Sequence, residues 1–209
     1  RDVHDDYFKA GAEILTTNTY SLHRDRLVRF ELEHEFESLN IKACEIAVAA
    51  RDANGSGLIA SALGPTGASY QPEIAPPAAE AAKLFTELAS IHLPYVDMFI
   101  LETMSSVDQA RGGLMGTIPL GKPVWLAISV NDDDGKTLRS GEPVTDIIPL
   151  LSEYPVEALL INCSTPEAIV ESVPLLVGHG APVGVYANGF TMISTEFKTP
   201  GASVDVLDE

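Results

Sequence analysis

The chain has 209 residues, of which 45% are hydrophobic and 21% are charged, a composition typical of one globular domain with a full core. Its formal net charge of −17 argues against a nucleic-acid partner, because a phosphate backbone would be repelled. No stretch approaches the roughly 18 consecutive apolar residues of a membrane span, and no secretory segment opens the sequence. Two widely separated cysteines, Cys44 and Cys163, favour the reducing cytoplasm over a disulfide framework.

Apolar runs predict six β-strands, and helical patterns lie between them. The strands are predicted at residues 13–17, 57–63, 96–102, 123–130, 156–162 and 182–187. The helical segments are predicted near residues 2–10, 25–53, 78–93, 105–117, 143–153 and 165–178. Most of the strands are nearly all apolar rather than alternating, which indicates a parallel sheet covered on both faces. This βα alternation predicts an α/β fold, either an open doubly wound sheet or a (β/α)8 TIM-type barrel.

Polar or small residues end every predicted strand, which favours the barrel, since an open sheet would concentrate them at one crevice. No glycine-rich nucleotide loop is present. A barrel of this type has eight strands and about 250 residues. Because residues 204–209 do not predict a further strand, we expect the first and last barrel strands to lie outside residues 1–209. We interpret residues 1–209 as a single barrel domain that is incomplete at both ends.

The segment around Cys163 is the strongest single indication of chemistry. The apolar run 158–161 ends abruptly in the amide of Asn162 and this thiol, and Thr165-Pro166 then predicts a helix start. The thiol therefore stands at the carboxyl end of a strand, where barrels place their active sites. Taken alone, a free cysteine is as well explained as a small core residue, which is our interpretation of Cys44 in its alanine-rich helix.

Other polar residues at strand ends are candidates for substrate binding. Glu102 ends an apolar strand and would face the barrel mouth, where its carboxylate could bind an ammonium group. It could instead pair with a nearby cation or cap the following helix. Further candidates, which could also be caps or turns, are Thr17, Asn18, Thr19, Asn162, Tyr186 and Asn188. No residue is assigned as catalytic from the sequence.

Several short stretches, in this order along the chain, resemble the homocysteine S-methyltransferase family, of the betaine–homocysteine or S-methylmethionine–homocysteine type. They include Thr16-Thr17-Asn18-Thr19-Tyr20, Leu63-Gly64-Pro65, Glu102-Thr103, Ile161-Asn162-Cys163 and Tyr186-Ala187-Asn188-Gly189. The resemblance implies a (β/α)8 barrel that transfers a methyl group from a small donor to the thiol of homocysteine, giving methionine. Its partners would be homocysteine and the donor, with homo-oligomers as an option.

The resemblance also implies zinc, bound by three cysteine thiolates, with the fourth position open to the homocysteine sulfur. Cys163 matches the first of these ligands. The adjacent cysteine pair that supplies the other two is absent from residues 1–209, and so is the opening strand with its Asp-Gly-Gly turn. We therefore expect zinc in a longer protein whose remaining ligands lie outside this chain, and no complete zinc site within it.

Two alternatives stay open at this point. A non-catalytic family member acting as a binding module would explain the missing cysteines. A metal-free barrel lyase is weakened because no lysine stands at a strand end to form a Schiff base; Lys122 precedes its strand. The identity of the methyl donor is not readable from the sequence.

Overall fold

The computed structural model describes residues 1–189, so residues 204–209, for which no strand was predicted, lie outside the described residues. Its centre is a six-stranded parallel sheet whose order, β1 to β6, follows the chain without reversal. The strands are β1 Ile14–Thr16, β2 Leu58–Leu63, β3 Met98–Met104, β4 Val124–Ile128, β5 Ala158–Asn162 and β6 Val183–Tyr186. All six predicted strands are therefore confirmed. The sheet curls into a half-barrel, and the order contradicts a doubly wound sheet.

Seven α-helices alternate with these strands in the described part of the chain. They are α1 Asp2–Lys9, α2 Arg24–Leu27, α3 Phe36–Asn54, α4 Ala78–His92, α5 Val107–Thr117, α6 Ile148–Glu153 and α7 Pro166–Leu176. The single helical segment predicted over residues 25–53 is wrong, because two 3-10 turns, Val28–Phe30 and Glu33–Glu35, separate α2 from α3. Glu31 has a φ of 59°, a left-handed conformation that an α-helix cannot continue through. None of the helices in residues 1–189 is long and apolar enough to cross a bilayer.

The sheet has two apolar faces with different neighbours. Side chains alternate along each strand, so every second residue faces the helical layer. The main core lies between the sheet and this helical layer. Its fully buried residues include Ile59, Leu63, Phe99, Leu101, Leu126, Ile128, Leu159 and Ile161. A smaller cluster occupies the concave face and contains Ala60, Met98, Ile100, Ala127, Ala158 and Leu160. Part of this concave face lines a cavity.

A buried chain of polar side chains joins the sheet to α3 and α4. His92 Nδ1 lies 2.7 Å from Ser61 Oγ, and His92 Nε2 lies 2.8 Å from Asn40 Oδ1. The Asn40 amide nitrogen donates to the carbonyls of Leu22 and Phe36, so its oxygen is the acceptor and His92 carries its proton on Nε2. Burial lowers the pKa of His92 to about 3, so the imidazole is neutral in the fold.

This buried imidazole should make the stability of the fold sensitive to acid. In the unfolded chain His92 protonates near its ordinary pKa of 6.5, whereas in the fold it does so only near 3. The unfolded state therefore binds more protons between these values, and stability is lost as the pH falls below 6.5. We expect His92 to lower the free energy of unfolding by about 1.4 kcal/mol per pH unit in this window.

Urea unfolding of the wild type and of His92→Gln, measured from about pH 7 down to pH 5, checks this expectation. The variant keeps a hydrogen-bonding side chain but cannot protonate, so its profile should be flatter by that amount. His34→Gln is the matched control, because the His34 side chain is 70% exposed. Parallel profiles for the wild type and His92→Gln would contradict a neutral buried imidazole.

Candidate functional site

The concave face of the sheet and the carboxyl ends of its strands line a cavity of about 1190 Å³. Its polar wall contains Thr16, Thr17, Asn18, Tyr20, Glu102 and Tyr186. Its apolar wall includes Ile100, Trp125 and Leu160 from the strand interiors. Parallel α/β barrels bind their ligands at this end of the strands, which makes the cavity the candidate functional site.

A bulge in β3 sets the position of Glu102. Leu101 and Met104 are three residues apart, yet they lie opposite Leu126 and Ile128, which are two residues apart. One extra residue is therefore accommodated in β3, and such a bulge re-aims the side chains around it. As a result Glu102 lies on the cavity wall, while Met104 returns to the main core and is fully buried.

Asn162 joins the ends of β3 and β5. Its Oδ1 accepts a hydrogen bond from the backbone N–H of Thr103 at 3.1 Å, and its Nδ2 donates to Thr103 Oγ1 at 3.0 Å. The same nitrogen lies 3.3 Å from Cys163 Sγ. Thr103 and Cys163 both have left-handed backbones, with φ of 64° and 51°, a conformation that non-glycine residues rarely adopt. Asn162 is fully buried and does not line the cavity.

Cys163 is half-buried beside the cavity, although it is not among the residues that line it. The hydroxyls of Thr103 and Tyr70 lie within hydrogen-bonding reach of its thiol. Burial raises the pKa of Cys163, and the nearby Glu102 carboxylate adds to that rise, so the thiol is protonated at neutral pH. Cys44 is fully buried in α3, where burial raises its pKa to about 12, in agreement with a packing role.

Glu102 has no cationic partner within residues 1–189. Its one hydrogen bond there comes from the hydroxyl of Tyr186, at 3.4 Å from Oε1. The helix that follows is capped by other groups, since Ser106 Oγ accepts from the N–H of Gln109 and Glu142 accepts from the N–H of Val107. Burial raises the pKa of Glu102 to about 7. A cation that reached this carboxylate would relieve the cost of burying its charge.

The polar residues 16–19 at the end of β1 have two different environments: some line the cavity, and others form hydrogen bonds within the fold. Thr16 and Asn18 are exposed on the cavity wall. Thr17 also lines the cavity, but its hydroxyl accepts from the N–H of Ala62 and lies 2.7 Å from Thr19 Oγ1. Thr19 is fully buried, does not line the cavity, and donates to the carbonyl of Ala62. The hydroxyls of Thr17 and Thr19 therefore fasten the end of β1 to β2.

Asn188, the last of the sequence candidates, follows β6 and lies outside the cavity lining. Its backbone N–H donates to the carbonyl of Ser164 at 2.9 Å, which places it close to the end of β5. Its Nδ2 is buried and has no hydrogen-bond partner within residues 1–189.

Two tyrosines at this site were not assigned from the sequence. Tyr20 lines the cavity, with its hydroxyl 2.8 Å from Ser69 Oγ. Its place directly after the polar run 16–19 could have indicated it. Tyr70 lies in the loop between β2 and α4, with a φ of 61° and 8% of its surface exposed. Tyr70 does not directly follow a predicted strand, so no sequence pattern indicated a place at the site.

The described residues do not form a complete metal centre. Across residues 1–189, no group of three or more His, Cys, Asp or Glu side chains is arranged to hold a metal ion. A zinc site needs three or four protein ligands. Cys163 contributes one thiol at the strand ends, so a zinc site here requires ligands from outside the described residues.

The comparisons with known proteins agree on one family. The sequence model described as Homocysteine S-methyltransferase matches residues 1–205. The chain is 28% identical over 208 residues to "Homocysteine S-methyltransferase" of Escherichia coli (strain K12), covering 90% of this chain and 66% of that relative. It is 28% identical over 222 residues to "Homocysteine S-methyltransferase YbgG" of Bacillus subtilis (strain 168), covering 95% and 69%. The chain thus spans about two thirds of the length of these curated relatives.

The fold agrees with a solved structure. The metallated form of the homocysteine methyltransferase MmuM from Escherichia coli matches with a TM-score of 0.73 and 21% sequence identity. The match covers 89% of this chain and 78% of that one. At this identity the likeness establishes a shared fold, in which the half-barrel corresponds to part of a larger chain.

Because its pKa is raised, Glu102 should destabilise the fold at alkaline pH. Its pKa of about 7 in the fold exceeds the ordinary 4.5, so the folded state binds the extra proton, and stability falls as the pH rises through this window. Glu102→Gln removes the charge and keeps the shape. We expect it to be more stable than the wild type at pH 8 by roughly 1–2 kcal/mol, discounted for partial exposure.

Urea unfolding at pH 8 and at about pH 4.5 provides the measurement, and the advantage of the variant should vanish at the lower pH. Glu171→Gln is the control, because Glu171 is an exposed residue of α7. Equal stabilities of wild type and Glu102→Gln at pH 8 would show that the carboxylate is not desolvated.

Proposed function

The chain belongs to the homocysteine S-methyltransferase family, and we propose that the complete protein transfers a methyl group from a small donor to the sulfur of homocysteine, giving methionine. One observation carries the proposal: the thiol of Cys163 lies at the same end of the sheet as the carboxylate of Glu102, which has no cationic partner within residues 1–189. Homocysteine carries on one short chain an ammonium group, which would bind the carboxylate, and a sulfur atom, which would lie at the Cys163 end of the site.

In this proposal Glu102 binds the ammonium group of homocysteine through a charge-assisted hydrogen bond. Because burial raises its pKa to about 7, Glu102 is close to half-protonated at neutral pH before the substrate arrives. The ammonium favours the carboxylate form, so binding releases a proton from Glu102 to solvent. The Tyr186 hydroxyl, which now donates to the carboxylate, would keep it oriented.

The remaining candidates take different parts. We propose that Asn18, which is exposed on the cavity wall, contacts the amino-acid end of the substrate. Thr17, Thr19 and Asn162 would act by holding strand ends in place, because their side chains already bond to the fold. The Nδ2 of Asn188, which has no hydrogen-bond partner within residues 1–189, would donate to a group of the ligand.

We further propose zinc as the cofactor, with Cys163 as one thiolate ligand and the others supplied from outside residues 1–189. A free thiol has a pKa near 8.5 and is a poor nucleophile at neutral pH, whereas a zinc-bound thiol is deprotonated. Support comes from the place of Cys163 at a strand end and from a solved relative described as metallated. Cys163 alone would not hold the ion.

A lyase or aldolase role finds no support at the cavity. Lys122 donates to the carbonyl of Val96, at the amino end of β3, far from the strand ends that carry the site. Lys42 reaches the cavity from α3, but its side chain is 70% exposed and lies 3.8 Å from Glu45.

We propose a cytoplasmic location, since both cysteines in the described residues are free.

Removing the thiol of Cys163 tests the metal proposal. In the complete protein we expect Cys163→Ala to lose bound metal and to lower methyl transfer to homocysteine by about 100-fold or more, because a metal ligand is removed. Metal analysis and a methionine-formation assay give the two readouts. Cys44→Ala is the control and should keep full metal content. Full metal content and activity in Cys163→Ala would rule out the assignment.

Kinetics of Glu102→Gln test the substrate proposal. Losing a charge-assisted hydrogen bond worth about 1.5–3 kcal/mol should raise the KM for homocysteine by roughly 10- to 100-fold, with the KM for the methyl donor unchanged. In the wild type, the KM for homocysteine should rise as the pH falls below about 7, because the proton competes with the ammonium. A homocysteine KM that is unaffected by the substitution would remove Glu102 from the binding site.

A further inference from the structure

Arg139 forms a buried ion pair in the segment between β4 and α6. Its side chain is 9% exposed, and that of its partner Asp132 is 4% exposed. The guanidinium donates to both carboxylate oxygens, with Nη1–Oδ2 at 3.2 Å and Nη2–Oδ1 at 3.1 Å. Burying two charges is unfavourable unless further hydrogen bonds satisfy them. The remaining partners of this pair therefore indicate what it does.

Those partners lie at the carboxyl end of β5. Arg139 Nη2 donates to the carbonyl oxygen of Cys163 at 2.8 Å, and Nε donates to Ser129 Oγ at 2.7 Å. The Ser129 hydroxyl donates to the same carbonyl at 3.1 Å. Asp132 Oδ1 accepts from the backbone N–H of Thr165 at 3.0 Å. The ion pair thus holds the backbone on both sides of Ser164 and supports the left-handed conformation of Cys163.

The flat face of the same guanidinium covers Tyr70. Arg139 Cζ lies 4.7 Å from the centroid of the tyrosine ring, a cation–π contact. The Tyr70 hydroxyl in turn lies within hydrogen-bonding reach of the Cys163 thiol. One side chain therefore contacts both the backbone carbonyl of Cys163 and the ring of the tyrosine whose hydroxyl reaches the thiol.

We propose that Arg139 is a positioning residue that locks Cys163 and Tyr70 together, and so fixes where the thiol at the end of β5 points. The reaction assigned to that thiol rests on the proposed function, whereas the contacts do not. A lysine could not replace this arginine fully, because one ammonium lacks the planar fork that reaches Asp132, Ser129 and Cys163 at once.

The test compares Arg139→Gln and Arg139→Lys with the wild type in the complete protein. Alkylation of Cys163 by iodoacetamide at one fixed pH is followed by mass spectrometry, with the buried Cys44 as an internal reference. We expect alkylation of Cys163 to be about tenfold faster in Arg139→Gln and to be only partly restored in Arg139→Lys. Hydrogen exchange should rise in the segment around Tyr70 and at residues 163–165, but not in β2.

Arg111→Gln is the matched control, because Arg111 pairs with Glu153 at the surface, and it should change neither readout. Wild-type alkylation and exchange in Arg139→Gln would overturn the proposal. So would a uniform rise in exchange across all strands, since that would mean that Arg139 only stabilises the fold. If Arg139→Gln does not fold, the same measurements on Arg139→Lys test the proposal. Wild-type rates of alkylation and hydrogen exchange in Arg139→Lys would then overturn it.

Kinetics separate this proposal from the proposed function. In an active protein, Arg139→Lys should lower kcat by about tenfold and leave the KM for homocysteine within a factor of about two, because Glu102 is untouched. A changed KM with an unchanged kcat would contradict a role at the thiol. If the wild type transfers no methyl group while alkylation and exchange respond as expected, the proposed function fails and the positioning role stands.

Discussion

The side-chain amide of Asn162 holds together two strand ends that the sheet itself cannot join. β4 lies between β3 and β5, so no backbone ladder links them. An amide carries both an acceptor and a donor, and Asn162 uses one on the N–H of Thr103 and the other on its hydroxyl. Glu102 precedes Thr103 and Cys163 follows Asn162, so this one interaction sets the spacing of the two functional groups. It also supports two left-handed residues, each of which costs about 1–3 kcal/mol.

The acidic side chains at this site ionise less readily than they would in water. Burial raises the pKa of Glu102, Cys163, Tyr70 and Tyr186, which favours the uncharged form of each. Among residues 1–189, the nearby Arg139 is paired with Asp132, and Arg26 donates to the carbonyl of Pro65 and lies against the Tyr20 ring. A ligand ammonium at Glu102 would favour its carboxylate form and so relieve the cost of burying that charge.

The sequence predicted the strands and their order for a clear physical reason. Continuous apolar runs with helices between them leave few parallel arrangements, and each run ended in polar residues that the structure places at one end of the sheet. The break between α2 and α3 was missed, because the segment around Glu31 contains neither glycine nor proline to mark it. The bulge in β3 was also missed, since it lies at Glu102 and Thr103, where the apolar run that predicted the strand has already ended.

The role of a side chain was harder to predict from the sequence than its position at the end of a strand. Thr19 and Asn18 look alike as polar residues after a strand, yet one bonds to the neighbouring strand and the other faces the cavity. Tyr70 and Arg139 lie in connecting segments and reach Cys163 through contacts between residues distant in sequence. Local pattern carries no information about such contacts, so these residues became visible in the folded chain.

A crystal structure of the complete protein with homocysteine would show whether Glu102 and Cys163 bind the two ends of one amino acid. We expect the ligand ammonium about 2.7–2.9 Å from the carboxylate of Glu102, as in other charge-assisted hydrogen bonds, with the ligand sulfur directed at Cys163. An amino acid bound with its ammonium away from Glu102, or with its sulfur on the far side of the cavity from Cys163, would contradict this expectation.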